Sequence, residues 1–449
     1  MIISNRSEIL REGNVPGRTM VLEILEHALR EVSFYKLVNN FVKVGDKLTI
    51  GAETYDLKDV GSIYVLGAGK QVSYMAAALE NILGERITDG LVIEKHGWGR
   101  STDRIRSVKG GHPLPDEHGV EGAKEIVRLA GRVKEDSLAI VCTSGGCTSL
   151  AALPPECMTL QEVRTVFQML LNAGAPIDDQ NTVRKHLSQL GEGKLSMLLK
   201  PAQTVGLIAV DEVSGLPWGP TVPDTTTFKD AINVLQKYNL WSTTPESIRR
   251  YFQEAPKAHE TPKSADFVRL NLKCDNLVLA NNNMLCDAAM IKAKQMNLNA
   301  GILTTTLEGE AKDVGTVLGS IGLEVERNYR PFKAPCAIIA GGETTVTLGA
   351  DSGQGGRNQE LALSAALKIT NSKKVVIASL GTDGSDGPTD IAGAIVDGDT
   401  TAQSDACGLD LFRNLKTHDS ATCCRKLGNA IYTNDTETNL MDLIIVYIA

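Results

Sequence analysis

The sequence predicts an α/β protein of two domains. Three observations predict it. Short, continuous apolar runs recur along the 449 residues, helical patterns separate them, and glycines gather where the runs end.

The runs come in order as "SIYVLGAGK" (62–70), "DGLVIEKHG" (89–97), "SLAIVCTSGG" (137–146), "TVGLIAVDE" (204–212) and "NLVLANNN" (276–283). Then follow "NAGILTTT" (299–306), "CAIIAGGE" (336–343), "KVVIASLGTDG" (374–384) and "LIIVYIA" (443–449). Between them lie helical patterns such as "QVSYMAAALENIL" (71–83) and "NQELALSAALKIT" (358–370). Uninterrupted apolar strands fit sheets covered by helices on both faces, so mostly parallel sheets are expected, Rossmann-like in the N-terminal half. The polar stretch "YFQEAPKAHETPK" (251–263) carries two prolines and reads as a linker. It divides an N-terminal α/β domain, 1–255, from a C-terminal one, 256–449.

The composition, 42% hydrophobic and 22% charged, is that of an ordinary soluble globular protein. A net charge of −8 argues against a broad nucleic-acid footprint, which needs a basic face. A local basic cluster can still hold a small anion. The nine cysteines are odd in number and show no CxxC spacing, so neither a disulfide framework nor a zinc site is indicated. Thiols in a reducing compartment are the expectation. The start, "MIISNRSEILREGNV", lacks a signal-peptide core, and the apolar runs are too short to span a bilayer. A cytoplasmic protein without nucleic-acid or membrane partners is expected, as a monomer or homodimer.

Open parallel sheets bind ligands at the carboxyl ends of their strands. At the first such end, "VLGAGKQVS" places Gly67, Gly69 and Lys70 before a helix. Val72 occupies the third-glycine position of a dinucleotide fingerprint, although Glu94 is placed to act as the ribose acid. Walker A also fails, because Gln71 replaces Ser/Thr. What remains is a lysine expected in the first helical turn, at an end that attracts phosphate or carboxylate.

The second end, "CTSGGCTSL" (142–150), offers amides and the hydroxyls of Ser144, Thr148 and Ser149 as an anion nest. It is not a nucleophile elbow, since no glycine lies two residues before Ser144. Cys147 is more simply a structural thiol than a nucleophile. In "NTVRKHLSQLGEGKL" (181–195), Asn181, Arg184 and Lys185 share a helix face, readable as a binding face or a salt-bridged surface. Asp211 and Glu212 end the next strand, where a Mg²⁺ ligand or a base belongs. Pro220, Pro223 and Asp224 read as a rigid turn.

In the C-terminal half, "GGETTVTLGADSGQGGRNQELALSAAL" (341–367) sets four glycines before Arg357 and an apolar helix. "SLGTDGSDGPTDIAGAIVD" (379–397) sets Asp383, Asp386 and Asp390 among glycines, which is turn chemistry as much as metal chemistry. Glycine loops, two cations and acidic strand ends are what phosphoryl transfer requires.

These motifs resemble the type-2 glycerate kinases, the glycerate 2-kinases with a C-terminal MOFRL domain. The resemblance is carried by "GAGK" (67–70), "GGHPLPDEHG" (110–119), "SGGCTSL" (144–150), "NTVRKHLSQLGEGKL", "GPTVPDTTT" (219–227), "LEGEAKDVG" (307–315), "GGETTVTL" with "GGRNQELAL", and "GTDGSDGPTDIAGA" (381–394). They keep the family's order over nearly the whole chain. The resemblance implies two α/β domains, a site in the cleft between them, ATP, Mg²⁺ and D-glycerate, and 2-phosphoglycerate as product. It implies catalytic roles for Lys70, Arg357 and Asp211, the last as the acidic strand end and metal ligand. Gly67, Gly69, His112, Ser144, Gly145, Gly146, Thr148 and Arg184 are implied to bind substrate or nucleotide from the N-terminal half. From the C-terminal half the implied set is Glu343, Asn358, Asp383 and Asp386. A fork such as the Arg357 guanidinium suits a carboxylate or phosphate.

The sequence departs from the family at Cys147, where a third glycine is usual, at Leu216–Trp218, and at Asn434–Glu437. Trp218 is expected to reshape the acceptor pocket. Two other readings are a nicotinamide-dependent hydroxypyruvate reductase and a decayed kinase that only binds ligand.

Overall fold

The computed structural model describes residues 1–97, 99–349 and 352–449. It divides into two compact units. A parallel-sheet unit comprises 37–210 and 216–279. A mixed-sheet unit comprises 1–36, 211–215 and 280–449.

The parallel-sheet unit begins with a small antiparallel meander that the apolar runs do not announce: β1 (Val42–Val44), β2 (Lys47–Ile50) and β3 (Glu53–Asp56). The main sheet follows with β4 (Ser62–Ala68), β5 (Ile87–Lys95), β6 (Ile105–Gly110), β7 (Ser137–Thr143), β8 (Gln203–Ala209) and β9 (Cys274–Ala280), in the order β6-β5-β4-β7-β8-β9. The pairs from β6 to β8 are all parallel. Every residue of β7 is buried. That is why its sequence shows no alternation: helices cover both faces, and neither face is free to be polar. The helices Val72–Leu83 and Glu117–Ala130 pack on this sheet. A second, aromatic core of Phe167, Phe228, Tyr251 and Phe252 holds the outer helices together.

The mixed-sheet unit contains β10 (Asn299–Leu307), β11 (Cys336–Gly342), β12 (Val375–Gly381), β13 (Gly393–Asp397), β14 (Ala430–Ile431) and β15 (Asp442–Ile448). Their order is β10-β11-β15-β12-β13-β14. Among the described strands of this sheet, only β10 and β11 pair in parallel. The strand β15 lies in the middle, antiparallel to both β11 and β12. The expectation of mostly parallel strands therefore holds for the first sheet and not for the second. A buried apolar run looks the same in either direction, so the sequence carries no direction signal there.

The units differ from the expected division at 255/256. Residues 256–279 pack with the parallel sheet, because β9 is its edge strand. Residues 1–36 pack with the mixed sheet, where the helix Val15–Glu31 lies against β12, β15 and the helix Asn282–Gln295. Arg18 on that first helix pairs with Asp397 at 2.7 Å, both side chains buried. The expected linker 251–263 is not a free tether either. Tyr251 and Phe252 sit in the aromatic core, and Thr261 donates to Asp224 at 2.8 Å. Two prolines stiffened a packed turn instead of marking a boundary.

Candidate active site

In the parallel-sheet unit, the loops leaving β4 and β7 are knitted together. Lys70 N–H donates to the Gly145 carbonyl at 2.7 Å, the Ser144 hydroxyl donates to the Lys70 carbonyl at 2.6 Å, and Ser144 N–H donates to the Ala68 carbonyl at 3.3 Å. Glycine is required at 67 and 69 by this approach. A Cβ at Gly67 would meet the Cys142 carbonyl, and one at Gly69 would meet Ser144. Lys70 is not in the first helical turn. Gln71, in the left-handed conformation, caps the helix Val72–Leu83, and Lys70 stands just ahead of it. Its backbone is thereby fixed by the neighbouring loop rather than by the helix.

Gly146 has φ +84 and starts the short helix Cys147–Leu150. A Cβ there would lie 2.7 Å from Cδ2 of His112, so the imidazole packs directly against this glycine. Ser149 Oγ donates to the Pro113 carbonyl at 2.9 Å and ties the His112 loop to the same helix. Gly67, Gly69, Lys70, His112, Ser144, Gly145, Gly146 and Thr148 are thus brought to one end of the sheet. Cys147 is buried in the apolar core beside Leu150, consistent with a packing role.

Two sequence expectations, for Glu94 and Arg184, change in this unit. Glu94 is buried and already engaged, accepting from Lys109 Nζ at 2.8 Å and Ser107 Oγ at 2.7 Å. It is not available as a ribose acid. Arg184 does not reach the glycine loops through any observed contact. It packs its guanidinium 4.8 Å over the Phe167 ring and donates to Gln180 at 2.6 Å, and burial lowers its pKa to about 10. Lys185 and His186 form a brace: Lys185 pairs with Asp224 at 2.6 Å, and His186 Nε2 lies 2.9 Å from Glu260. Lys194 donates to the Ser188 carbonyl at 2.8 Å.

In the mixed-sheet unit the fork of Arg357 is already filled. Its Nε and Nη2 donate to Asp442 at 2.7 and 2.9 Å, and Nη1 lies 3.0 Å from Glu343. Those two carboxylates raise the arginine pKa well above its usual value, outweighing the opposite effect of burial. Asn358 Nδ2 donates to Asp442 at 2.9 Å and to Asp386 at 3.2 Å. Asp386 also accepts the N–H groups of Asn358 at 3.1 Å and Gln359 at 3.0 Å. The anion at the N-terminus of the helix Arg357–Lys368 is therefore the protein's own Asp386. The glycines before that helix make room for it: a Cβ at Gly356 would overlap the Asp386 carboxylate, and one at Gly355 would overlap Ser420. Ala350 and Asp351 of this loop lie outside the described residues.

Asp211 belongs to the same unit, where Asn439 Nδ2 donates to it at 3.0 Å. Asp383 accepts from Ser385 N–H and Oγ at 3.0 and 2.9 Å, which is turn chemistry. Thr382 Oγ1 donates to the Met441 carbonyl at 2.7 Å, stapling the 382–386 turn to the lead into β15. Among the described residues no three His, Cys, Asp or Glu side chains cluster as a metal site. Sequence reasoning missed Asp442 and Asn439. Asp442 opens an antiparallel strand, so its amino end lies level with the carboxyl ends of β11 and β12.

The parallel-sheet unit thus offers a lysine among glycine loops, and the mixed-sheet unit an arginine anchored by acids at a helix start. Residues 20–253 match a family model described as a domain of unknown function (DUF4147), and residues 336–442 match the MOFRL family. The chain is 37% identical to a glycerate 2-kinase from Pyrococcus horikoshii, covering 96% of this chain and 97% of that one. It is 38% identical to a D-glycerate 2-kinase from Thermotoga maritima, covering 88% and 92%. The crystal structure of a glycerate kinase from Thermotoga maritima superposes with a TM-score of 0.81 at 35% identity, over 96% of this chain and 99% of that one. The chain belongs to the glycerate 2-kinase family with a MOFRL domain, whose members are phosphotransferases with an alcohol group as acceptor.

Proposed function

We propose that the protein transfers the γ-phosphoryl group of ATP to the 2-hydroxyl of D-glycerate and releases 2-phosphoglycerate. The observation that carries this reading is the knitting of the 67–70 and 143–146 loops, which fixes Lys70 where two parallel strands end, in a chain of this family. Amides and hydroxyls of these loops cradle the phosphates, and the Lys70 ammonium neutralises charge on the group in transfer. Arg357, held by Asp442, is the cation that the mixed-sheet unit offers to a phosphate or carboxylate. A divalent ion of the Mg²⁺ type would neutralise the phosphate oxygens. The donor set fits it, because such ions take one or two carboxylates and complete their shell with phosphate and water. Asp211, with Glu212 beside it, is the pair that would hold it.

No helix among the described residues is long and apolar enough to cross a membrane, and none of the described cysteines is in a disulfide. Both support the cytoplasm as the compartment. The test is product identification from ATP, Mg²⁺ and D-glycerate, resolving the 2-phosphate from the 3-phosphate. Absence of turnover across D-glycerate and related short hydroxy acids sinks the proposal. Binding of these ligands without turnover would point to a decayed kinase instead.

A further inference from the structure

Just before β15 the backbone takes a conformation that its sequence does not favour. Met441, a buried non-glycine residue, has φ +64. Such a residue is strained and persists only where its surroundings over-determine it. Two buried polar side chains do so here. The Thr382 hydroxyl accepts the Leu440 N–H at 2.7 Å and donates to the Met441 carbonyl at 2.7 Å, and the Thr382 N–H donates to the same carbonyl at 2.9 Å. The Asn282 amide, at the start of the helix Asn282–Gln295, donates to the Leu440 carbonyl at 2.8 Å and to the Asp442 carbonyl at 3.1 Å. The residue after Met441 is Asp442, whose carboxylate accepts both hydrogen bonds of the Arg357 fork.

We propose that Thr382 and Asn282 are positioning residues for the phosphoryl transfer. By holding the left-handed turn at Met441 they fix where the Asp442 carboxylate stands, and Asp442 in turn aims Arg357. The inference rests on the role proposed above for Arg357 toward a phosphate or carboxylate. Both clamp residues are buried, so they act through what they hold and not by touching a ligand.

The clamp works from outside the helix that carries the arginine. Asn358 also donates to Asp442, but it sits next to Arg357 on the same helix and supplies no independent reference. Thr382 follows β12 directly. Asn282 packs against β11 at Gly341, where a Cβ would overlap its Oδ1. The two strands that flank β15 thus set the position of Asp442. The ion pair transmits that position, because a guanidinium fork meets a carboxylate in one plane. Without the Thr382 hydroxyl the strained turn is free to relax, and the fork swings with Asp442.

The test is a double-mutant cycle on kcat with ATP, Mg²⁺ and D-glycerate, run well below the melting temperature of every variant. Thr382→Val keeps the shape and removes the hydroxyl, and kcat should fall about 10-fold. Thr382→Ser keeps the hydroxyl and should stay near wild type. Arg357→Ala alone should cost about 10²-fold. Because Thr382 acts through the arginine, the double variant Thr382→Val with Arg357→Ala should stay near that loss, well short of the roughly 10³-fold product. Losses that multiply in full overturn the proposal, since they are what a merely structural threonine gives. A Ser variant as slow as the Val variant overturns it too. Should Thr382→Val not fold, Asn282→Ala frees the same turn from its other side and goes through the same cycle under the same criteria. Wild-type kcat in the clamp variant beside a slow Arg357→Ala overturns the clamp alone. Wild-type kcat in Arg357→Ala overturns the role of the arginine and this inference together.

Discussion

Arg357 donates two hydrogen bonds to Asp442, at 2.7 and 2.9 Å, so its planar fork is spoken for before any ligand arrives. The arginine presents only its remaining edge, shared with Glu343. Asp442 thus decides where the cation points. Asp442→Asn weakens that hold while keeping the shape, and kcat should fall about 10-fold or more, with Arg357→Ala costing about 10²-fold. Asp442→Ala leaves the guanidinium without its main partner, and denaturant unfolding should show a loss of about 2 kcal/mol. Wild-type kcat in both Asp442 variants would refute the anchoring role.

Lys70 is fixed through its backbone, not by a helix turn. Lys70→Ala should cut kcat by about 10²-fold, the scale of losing one transition-state contact. Thermal melts beside steady-state kinetics check this. A stability loss without a kinetic one would assign Lys70 to the scaffold.

Gly146 combines a positive φ with direct contact to the His112 ring. Gly146→Ala should destabilise by about 1–3 kcal/mol and displace the loop that ties Lys70, lowering kcat about 10-fold. A variant indistinguishable from wild type in melting and rate would show that the loop tolerates a side chain.

The brace of Lys185, Asp224, His186 and Glu260 carries a pH signature. Burial works to raise the Asp224 carboxyl, but the Lys185 ammonium and the donors of Thr226 and Thr261 outweigh it and bring it to about 2. Glu260 is likewise brought to about 2, against burial, chiefly by His186. Both folded-state values lie below the unfolded ones, so the stability they add is present above about pH 4.5 and is lost as pH falls towards 2. Asp224 alone should account for on the order of 2 kcal/mol. Melting temperature should drop across that acid window, and Glu260→Gln should flatten the drop. An equal slope in the variant would refute the assignment.

Much of this was legible in the chain, for a physical reason. Strands buried on both faces must be continuously apolar, and loops that pack backbone against backbone must be glycine, so β4, β7 and the 67–70 and 143–146 loops announce themselves. What stayed hidden are pairings between distant residues. Glu94 reads as an open strand-end acid until Lys109 and Ser107 are seen on it. Arg184 reads as a ligand on a polar helix face until Phe167 covers it. The glycines at 355 and 356 suggest room for a foreign anion, whereas the space belongs to Ser420 and Asp386. No local pattern encodes which side chain fills a gap.

The central place of β15 carries a consequence for how the protein is made. Of the six strands in its sheet it leaves the ribosome last, yet it lies between β11 and β12. Until it arrives, β10–β11 and β12–β14 are two fragments with open edges, vulnerable to proteolysis and to pairing with other nascent chains. The residue that opens β15 is Asp442, so the event that seals the sheet also seats the arginine. A half-made copy of this unit therefore has no oriented guanidinium.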